Sequence, residues 1–265
     1  MIPNLPKISI ITVCYNSAKT IEKTIKSVVN QNYPNLEYII IDGGSKDGTI
    51  DIINKYKDNI SKFISEPDKG ISDAFNKGVK LASGEIIGIL NSDDWHELNT
   101  LETVAQELST KQADYIIGCQ KYWDENGGSF IVHPDYQYRQ KVLYRMPRLN
   151  HASAFFKKSV YDSIGLFDIR YKYAMDYDFF LRAFLAGKKP IFIDRVFTNM
   201  NLAGASDRHA LAAYRETAFI APKKLVSLLF FIYSTFKYLI RKMLTILKLD
   251  YLLLLIRKIK YRYSK

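Results

Sequence analysis

Short apolar runs alternate with amphipathic stretches through the first 110 residues of the chain. Ile8-Ser9-Ile10-Ile11-Thr12-Val13 has the length and β-branched content of a buried strand. Ser17 then stands where a helix N-cap belongs, ahead of an apolar stripe at Ile21, Ile25, Val28 and Val29. The same alternation continues. Tyr38 to Ile41 reads as a strand, Ile52, Ile53 and Tyr56 as one helix face, Phe63-Ile64 as a short strand, and Ala74, Phe75, Val79 and Ala82 as the next helix face. Glu85 to Leu90 is a fourth strand, and Asn99 with Glu102 has the spacing of a capping box opening a helix through Leu101, Val104 and Leu108. Strands alternating with helices predict an α/β fold, a mostly parallel central sheet with helices on both faces, whose ligands bind beyond the carboxyl ends of the strands.

Beyond residue 110 the alternation loosens. Asp114 to Trp123 and Phe130 to Val132 read as strands around an Asn126-Gly127-Gly128 turn. His151 to Phe156 reads as a strand. Asp176-Tyr177-Asp178 opens a strongly apolar helix stopped at Gly187, and Pro190 to Phe197 is a last strand. Residues 1–221 form one predicted domain, and residues 222–265 a basic, amphipathic helical tail.

Charge changes the picture only at that tail. The 265-residue chain has a net charge of +11, but residues 222–265 hold 11 Lys and Arg against one acid, Asp250, which leaves about +1 for the rest. A nucleic-acid surface on the main domain is therefore not expected. Leu225 to Phe236 is 12 residues without a charge, short of the roughly 20 that span a bilayer. Lys237, Arg241 and Lys248 fall on one helical face, which suits a helix lying in a membrane interface, drawn to anionic lipid. The competing readings are a helical pair packed on the domain or in a homo-oligomer interface, and a shallow re-entrant hairpin. Cys14 and Cys119 are far apart with no metal spacing, so a reducing compartment fits, and Cys14 reads as a packed core thiol. Met1 to Lys7 carries no signal pattern, so the chain is expected to stay in the cytoplasm, peripheral on the inner face of the cell membrane.

Candidate chemistry gathers at the predicted strand ends: Tyr15-Asn16 after the first, Asp42-Gly43-Gly44-Ser45 after the second, and Asn91-Ser92-Asp93-Asp94 after the fourth. Two adjacent carboxylates at the end of a buried strand repel each other and are costly to desolvate, which a hard divalent cation, Mg²⁺ or Mn²⁺, would relieve. A surface turn capping the next helix is the plainer alternative.

These segments, together with Asp68-Lys69-Gly70-Ile71-Ser72-Asp73-Ala74-Phe75-Asn76-Lys77-Gly78 and Asp176-Tyr177-Asp178-Phe179-Phe180-Leu181-Arg182, resemble a family 2 glycosyltransferase of the GT-A, Rossmann-like fold over roughly residues 7–207. The resemblance implies an inverting transfer of a sugar from a nucleotide-diphosphate donor, with UDP the preferred nucleotide. It implies that Thr12, Tyr15, Asn16, Asp42, Asp73 and Asp93 bind the donor nucleotide, that Asp93 and Asp94 hold Mn²⁺ or Mg²⁺, and that Asp176 is the general base. Relatives often carry an acid at the position of Asn91 and a Glu at that of Met175, so the ligand set and the tuning of the base depart from the family pattern. Trp95, His151, Ser206 and Arg208, with His209, are candidate acceptor or phosphate contacts, and Lys77 a candidate phosphate contact. Asp178 is read as structural or acceptor-facing. Family analogy and the tail together imply a polyprenyl-diphosphate-linked glycan acceptor in cell-surface polysaccharide assembly. A Mg²⁺-dependent nucleotidyltransferase and a non-catalytic membrane scaffold are the alternatives.

Overall fold

The computed structural model describes residues 5–124, 127–201 and 209–246. The first half is built as the alternation predicts. β1 (Ile8–Cys14) leads to α1 (Ile21–Val29), β2 (Leu36–Asp42) to α2 (Thr49–Asn54), β3 (Lys62–Ser65) to α3 (Ile71–Leu81), and β4 (Ile86–Asn91) through a two-residue β5 (Trp95–His96) to α4 (Thr100–Thr110). β3, β2, β1 and β4 lie side by side and all parallel, with Cys14 opposite Asp42 and Val13 opposite Asn91. The carboxyl ends of three strands are thus level, and the polar segments that follow them share one edge.

The second half adds antiparallel pairings. β6 (Tyr115–Trp123) and β7 (Ser129–Val132) form a hairpin, α5 (Tyr138–Lys141) and a 3₁₀ turn (His151–Ser153) follow, and β8 (Ala154–Lys157) runs antiparallel to both β4 and β6. α6 (Lys158–Ile164), α7 (Met175–Leu185) and β9 (Pro190–Asn201) complete a nine-stranded mixed sheet in the order β3-β2-β1-β4-β8-β6-β9-β5, with β7 on β6. The strand expected from His151 begins at Ala154. Asn150 accepts the Ala152 N–H on its side chain at 3.0 Å and turns the chain before the strand starts.

Strand periodicity splits the core into two layers. Ile8, Ile10, Tyr38, Ile40, Ile86 and Leu90 face α1 and α4, whereas Ile11, Val13, Ile39, Ile41, Ile87 and Ile89 face α3, α6 and α7. A Cβ at Gly78 would run into Ile11 Cγ2, so glycine there lets α3 lie directly on β1. At the opposite edge of the sheet Glu37 is buried, accepting from Ser9 Oγ (2.6 Å), Ser83 N (2.7 Å) and Lys62 Nζ (3.0 Å). Burial alone would raise its carboxyl, but these donors prevail and hold it at about 2.

Two expected caps are not formed. Ser17 lies three residues before the N-cap position, Thr20, and its hydroxyl joins Ser92 Oγ at 2.7 Å instead. Asn99 holds the N-cap position of α4 in a left-handed conformation (φ 61°) that turns its side chain away from the first-turn N–H groups. Gln31 Oε1 takes the Leu101 N–H at 3.3 Å. The last elements among the described residues are α8 (Ala210–Ile220) and α9 (Lys224–Ile246). Ala221 between them is fully buried and packs with Val142, Ala174, Tyr177 and Leu181.

Candidate active site

The loops after β1 and β2 are stitched to each other by side chains. Ser45 Oγ accepts the Asn16 N–H (2.7 Å), Asn16 Oδ1 accepts the Lys46 N–H (3.0 Å), Thr49 Oγ1 accepts the Ser17 N–H (2.7 Å), and Asp47 Oδ2 accepts the Ala18 N–H (3.0 Å). Asn16 itself is left-handed, at φ 49°. Tyr15 stays exposed above this platform, its ring beside Gly43 and the Asp68 carboxyl.

Asp42 is fully buried beneath the platform. Its carboxylate accepts from Gly44 N (3.1 Å), Ser45 N (2.9 Å), Ser65 Oγ (2.7 Å) and the Ser45 hydroxyl, with the Cys14 thiol at 3.5 Å. Burial raises it, yet the Ser45 and Ser65 hydroxyls outweigh burial and hold it below the usual carboxylate range. Asp42 therefore shapes the Gly43-Gly44-Ser45 turn. Thr12 is also interior: its hydroxyl meets Tyr38 Oη at 3.1 Å, on the face of the sheet covered by α1 and α4, and the fold does not bring it to the mouth. Cys14 is a packed thiol, pushed far up by burial and by the Asp42 charge.

Asp73, in the first turn of α3, accepts the Lys69 N–H at 3.0 Å. Lys77 is committed to carboxylates, with Glu66 at 2.8 Å and Asp73 at 3.7 Å.

The acidic pair divides its two members. Asp93 is exposed, while Asp94 is buried. Burial, and then the Asp93 charge, push the Asp94 carboxyl well above its ordinary range, against a weak opposing bond from Asn91 Nδ2 at 3.3 Å. The remaining side-chain oxygen of Asn91, Oδ1, is buried with no partner. Two carboxylates, one of them destabilised as an anion, and an unsatisfied amide oxygen form an all-oxygen donor set that fits a hard divalent cation. Among the described residues no third acid joins this pair within ligand range, which leaves positions on such a cation for water or other oxygen ligands.

Because β8 is antiparallel to β4, the 3₁₀ turn before β8 meets the end of β4 that carries Asn91 to Asp94. His151 in that turn has its Nδ1 3.9 Å from Asp176 Oδ2, and both ring nitrogens are buried without hydrogen-bond partners. Its ring packs against Phe75 of α3 at 5.2 Å. Asp176 lies in the first turn of α7, where its Oδ1 accepts the Tyr177 N–H at 2.9 Å. It also lines a cavity of about 220 Å³ shared with Asn150, Ser153, Arg148 and His133. Asp178, two residues on and on the far side of the helix, bonds Arg182, one turn later, at 2.8 Å, and Arg182 goes on to the carbonyls of Ile164 and Leu166. That pair is structural.

Trp95 is covered on one face by Lys23 Nζ, 2.9 Å from the ring centroid, and its ring centroid lies 6.4 Å from that of Trp123. His209 stacks on Tyr173 at 4.9 Å. Ser206 and Arg208 lie outside the described residues.

Sequence reading missed Glu216. From α8 its carboxylate accepts the N–H groups of Lys172 (3.2 Å), Tyr173 (2.8 Å) and Ala174 (2.8 Å), the residues that lead into α7 and Asp176. No local signal marks it, because its partners lie some forty residues upstream.

A mixed α/β sheet with polar loops at the level carboxyl ends of β1, β2 and β4, an acid pair after β4 and a further carboxylate across the edge defines the GT-A class of fold. S. aureus TarS, residues 1–349, superposes with a TM-score of 0.62 at 22% identity, over 81% of this chain and 65% of that one. The mannosyltransferase PcManGT from Pyrobaculum calidifontis, in complex with GDP-Man and Mn²⁺, superposes at 0.64 with 18% identity, over 85% and 69%. The chain belongs to glycosyl transferase family 2, whose model matches residues 9–173. It is 34% identical over 129 residues to the glycosyltransferase GlyG of Streptococcus pneumoniae serotype 4, covering 48% of this chain and 43% of that protein. It is 29% identical over 187 residues to a PGL/p-HBAD biosynthesis glycosyltransferase of Mycobacterium bovis, covering 68% and 70%. The chain thus spans less than half of the pneumococcal relative's length.

Proposed function

We propose that this protein transfers a sugar from a nucleotide-diphosphate donor to a hydroxyl of a membrane-linked glycan, with inversion at the anomeric carbon. The observation that carries this reading is that the β4–β8 pairing brings the turn holding His151, 3.9 Å from Asp176, to the end of β4 from which the acid loop leaves. The donor nucleotide lies over the Tyr15-Asn16 and Gly43-Gly44-Ser45 platform, with Asp42 acting from below through the turn and Asp73 at its side. Asp93 and Asp94 would hold a divalent cation, which when bound neutralises charge on the leaving diphosphate. Complexes of fold relatives with UDP-GlcNAc and with GDP-Man and Mn²⁺ support a nucleotide-sugar donor and a metal.

Asp176 faces the cavity that would seat the acceptor. Its carboxylate takes the proton of the attacking hydroxyl as that oxygen bonds to the anomeric carbon and the bond to the diphosphate oxygen breaks. His151 beside it, with two unpaired nitrogens, orients the acceptor hydroxyl or the Asp176 carboxylate. Residues 1–221 are the transferase, and residues 222–265 hold it against an anionic membrane surface, where a polyprenyl-diphosphate-linked acceptor resides.

Turnover measured with a panel of nucleotide sugars, with and without Mn²⁺, tests the class. Asp176→Asn is expected to lose at least a hundredfold in turnover while donor binding, read by thermal shift, persists. Unchanged turnover in that variant removes Asp176 from the chemistry.

A further inference from the structure

Away from the nucleotide loops, three side chains of different chemistry converge on one point. Cys119 Sγ lies 3.4 Å from His133 Nδ1 and 3.4 Å from Asp194 Oδ1, and His133 Nδ1 is 2.8 Å from the same Asp194 oxygen. Among the described residues this is the only group of three or more Cys, His, Asp or Glu side chains whose ligand atoms all fall within 4.8 Å of one another.

The arrangement is not that of a nucleophile. A thiol–imidazole–carboxylate relay uses both ring nitrogens, one to each partner. Here the thiol and the carboxylate both meet Nδ1, so the three groups surround a point rather than form a line. Cys119 is also buried, and burial, then Asp194, push its thiol up to about 12.

The backbone builds the convergence. The β6–β9 register jumps from Gly118 opposite Ile193 to Cys119 opposite Val196, so Asp194 and Arg195 are extra residues in a bulge. That bulge brings Asp194 over Cys119. Arg195, the nearest cation in sequence, donates instead to Thr103 Oγ1 (2.8 Å) and Leu98 O (3.1 Å), so it does not pair with Asp194. On the other side of β6, Gln120 pairs with Val132, which sets His133 just past the end of β7.

We propose that Cys119, His133 and Asp194 bind a Zn²⁺ ion. One sulfur, one imidazole nitrogen and one carboxylate oxygen suit this borderline cation, whereas Mg²⁺ and Mn²⁺ favour all-oxygen sets such as that at Asp93 and Asp94. Three protein ligands leave a fourth position for water. Binding replaces the thiol proton, which passes to solvent as the sulfur–zinc bond forms. The ion ties β6, the β9 bulge and the segment after β7 together. His133 lines the cavity that reaches Asp176, so the ion braces that cavity's wall.

The test uses the full-length, metal-free chain titrated with Zn²⁺ alone, and with Co²⁺ as a spectroscopic stand-in. The expected result is one zinc per chain and a thiolate-to-cobalt charge-transfer band that zinc displaces. Cys119→Ser and His133→Asn should each lose the band and weaken zinc binding at least tenfold, whereas Cys14→Ser keeps both. Asp194→Asn, at an exposed side chain, alters the site without touching the core and should also weaken zinc binding at least tenfold. The absence of a band in the parent chain overturns the proposal, as does a band or zinc affinity that persists unchanged in Cys119→Ser, His133→Asn or Asp194→Asn. An oxygen-only site at Asp93 and Asp94 cannot give the band, so the two cation sites are told apart.

Discussion

Asp94 carries a cost that the fold tolerates. Its carboxyl lies well above the ordinary 3.8 because it is buried beside Asp93, so the folded chain holds a proton that the unfolded chain releases. The stability this contributes is complete below about pH 3.8 and is lost as the pH rises towards the folded-state value. At neutral pH in chelator, Asp94→Asn should therefore raise the melting temperature, by about 2–4 °C per kcal/mol relieved, and flatten its decline with pH. The same variant should lose Mn²⁺-dependent turnover. Differential scanning calorimetry from pH 4 to 8 with chelator, beside an activity assay, checks both. A lower melting temperature at pH 7 would show that Asp94 is satisfied by its neighbours instead. The residue scale also separates what residue type reveals from what packing assigns. Asp93 and Asp94 are indistinguishable in sequence, and only burial divides them.

At the scale of elements, α7 depends on α8. The N–H groups at the start of a helix have no partner within it, and for α7 the Lys172-Tyr173-Ala174 donors that lead in are met by Glu216. Asp176 stands two residues after Ala174, so Glu216 acts as a positioning residue for the proposed base. Glu216→Ala is expected to cost about 1–2 kcal/mol, as the loss of a helix cap does, and to slow turnover by about 10–100-fold through displacement of Asp176. Donor affinity should not change, because the platform after β1 and β2 is built without α8. A fall in donor affinity equal to the fall in turnover would place Glu216 elsewhere in the mechanism, and Glu216→Gln should restore part of the rate.

At the scale of the whole molecule, α9 is packed with its apolar side outward. Ser227 and Ser234 are buried against the domain, while Leu225 (72% exposed), Leu229 (60%) and Phe236 (63%) form the outer face. Phe230 holds the helix down through Tyr144 and Arg145. Among the described residues no helix is long and apolar enough to cross a membrane. An exposed apolar stripe beside Lys223, Lys224 and Lys237 suits shallow insertion at an anionic surface. Leu229→Glu/Phe236→Glu should reduce co-sedimentation with phosphatidylglycerol-containing vesicles at least tenfold without loss of melting temperature, since both side chains already face solvent. Vesicle binding equal to the parent's would assign the stripe to another partner, such as a second copy of the chain.

The four parallel strands of the first half, the two-sided core and the acid-bearing loops were legible from residue pattern, because a short apolar run and a turn rich in Gly, Asp and Ser are local signals. Ser17 and the Asn99–Glu102 pair misled for the same reason: each is a local cap signature whose partners were taken by Ser92 and Gln31 from elsewhere in the chain. Family membership, too, rests on segments that each read in order along the chain. Tertiary structure alone decided which polar residues meet. The inward turn of Thr12 and Asp42, the approach of His151 to Asp176, the Glu216 cap and the Cys119–His133–Asp194 convergence all join residues that are distant in sequence. Their meeting depends on register, strand direction and a bulge, which are set by how elements pack and leave no mark in the residues on either side.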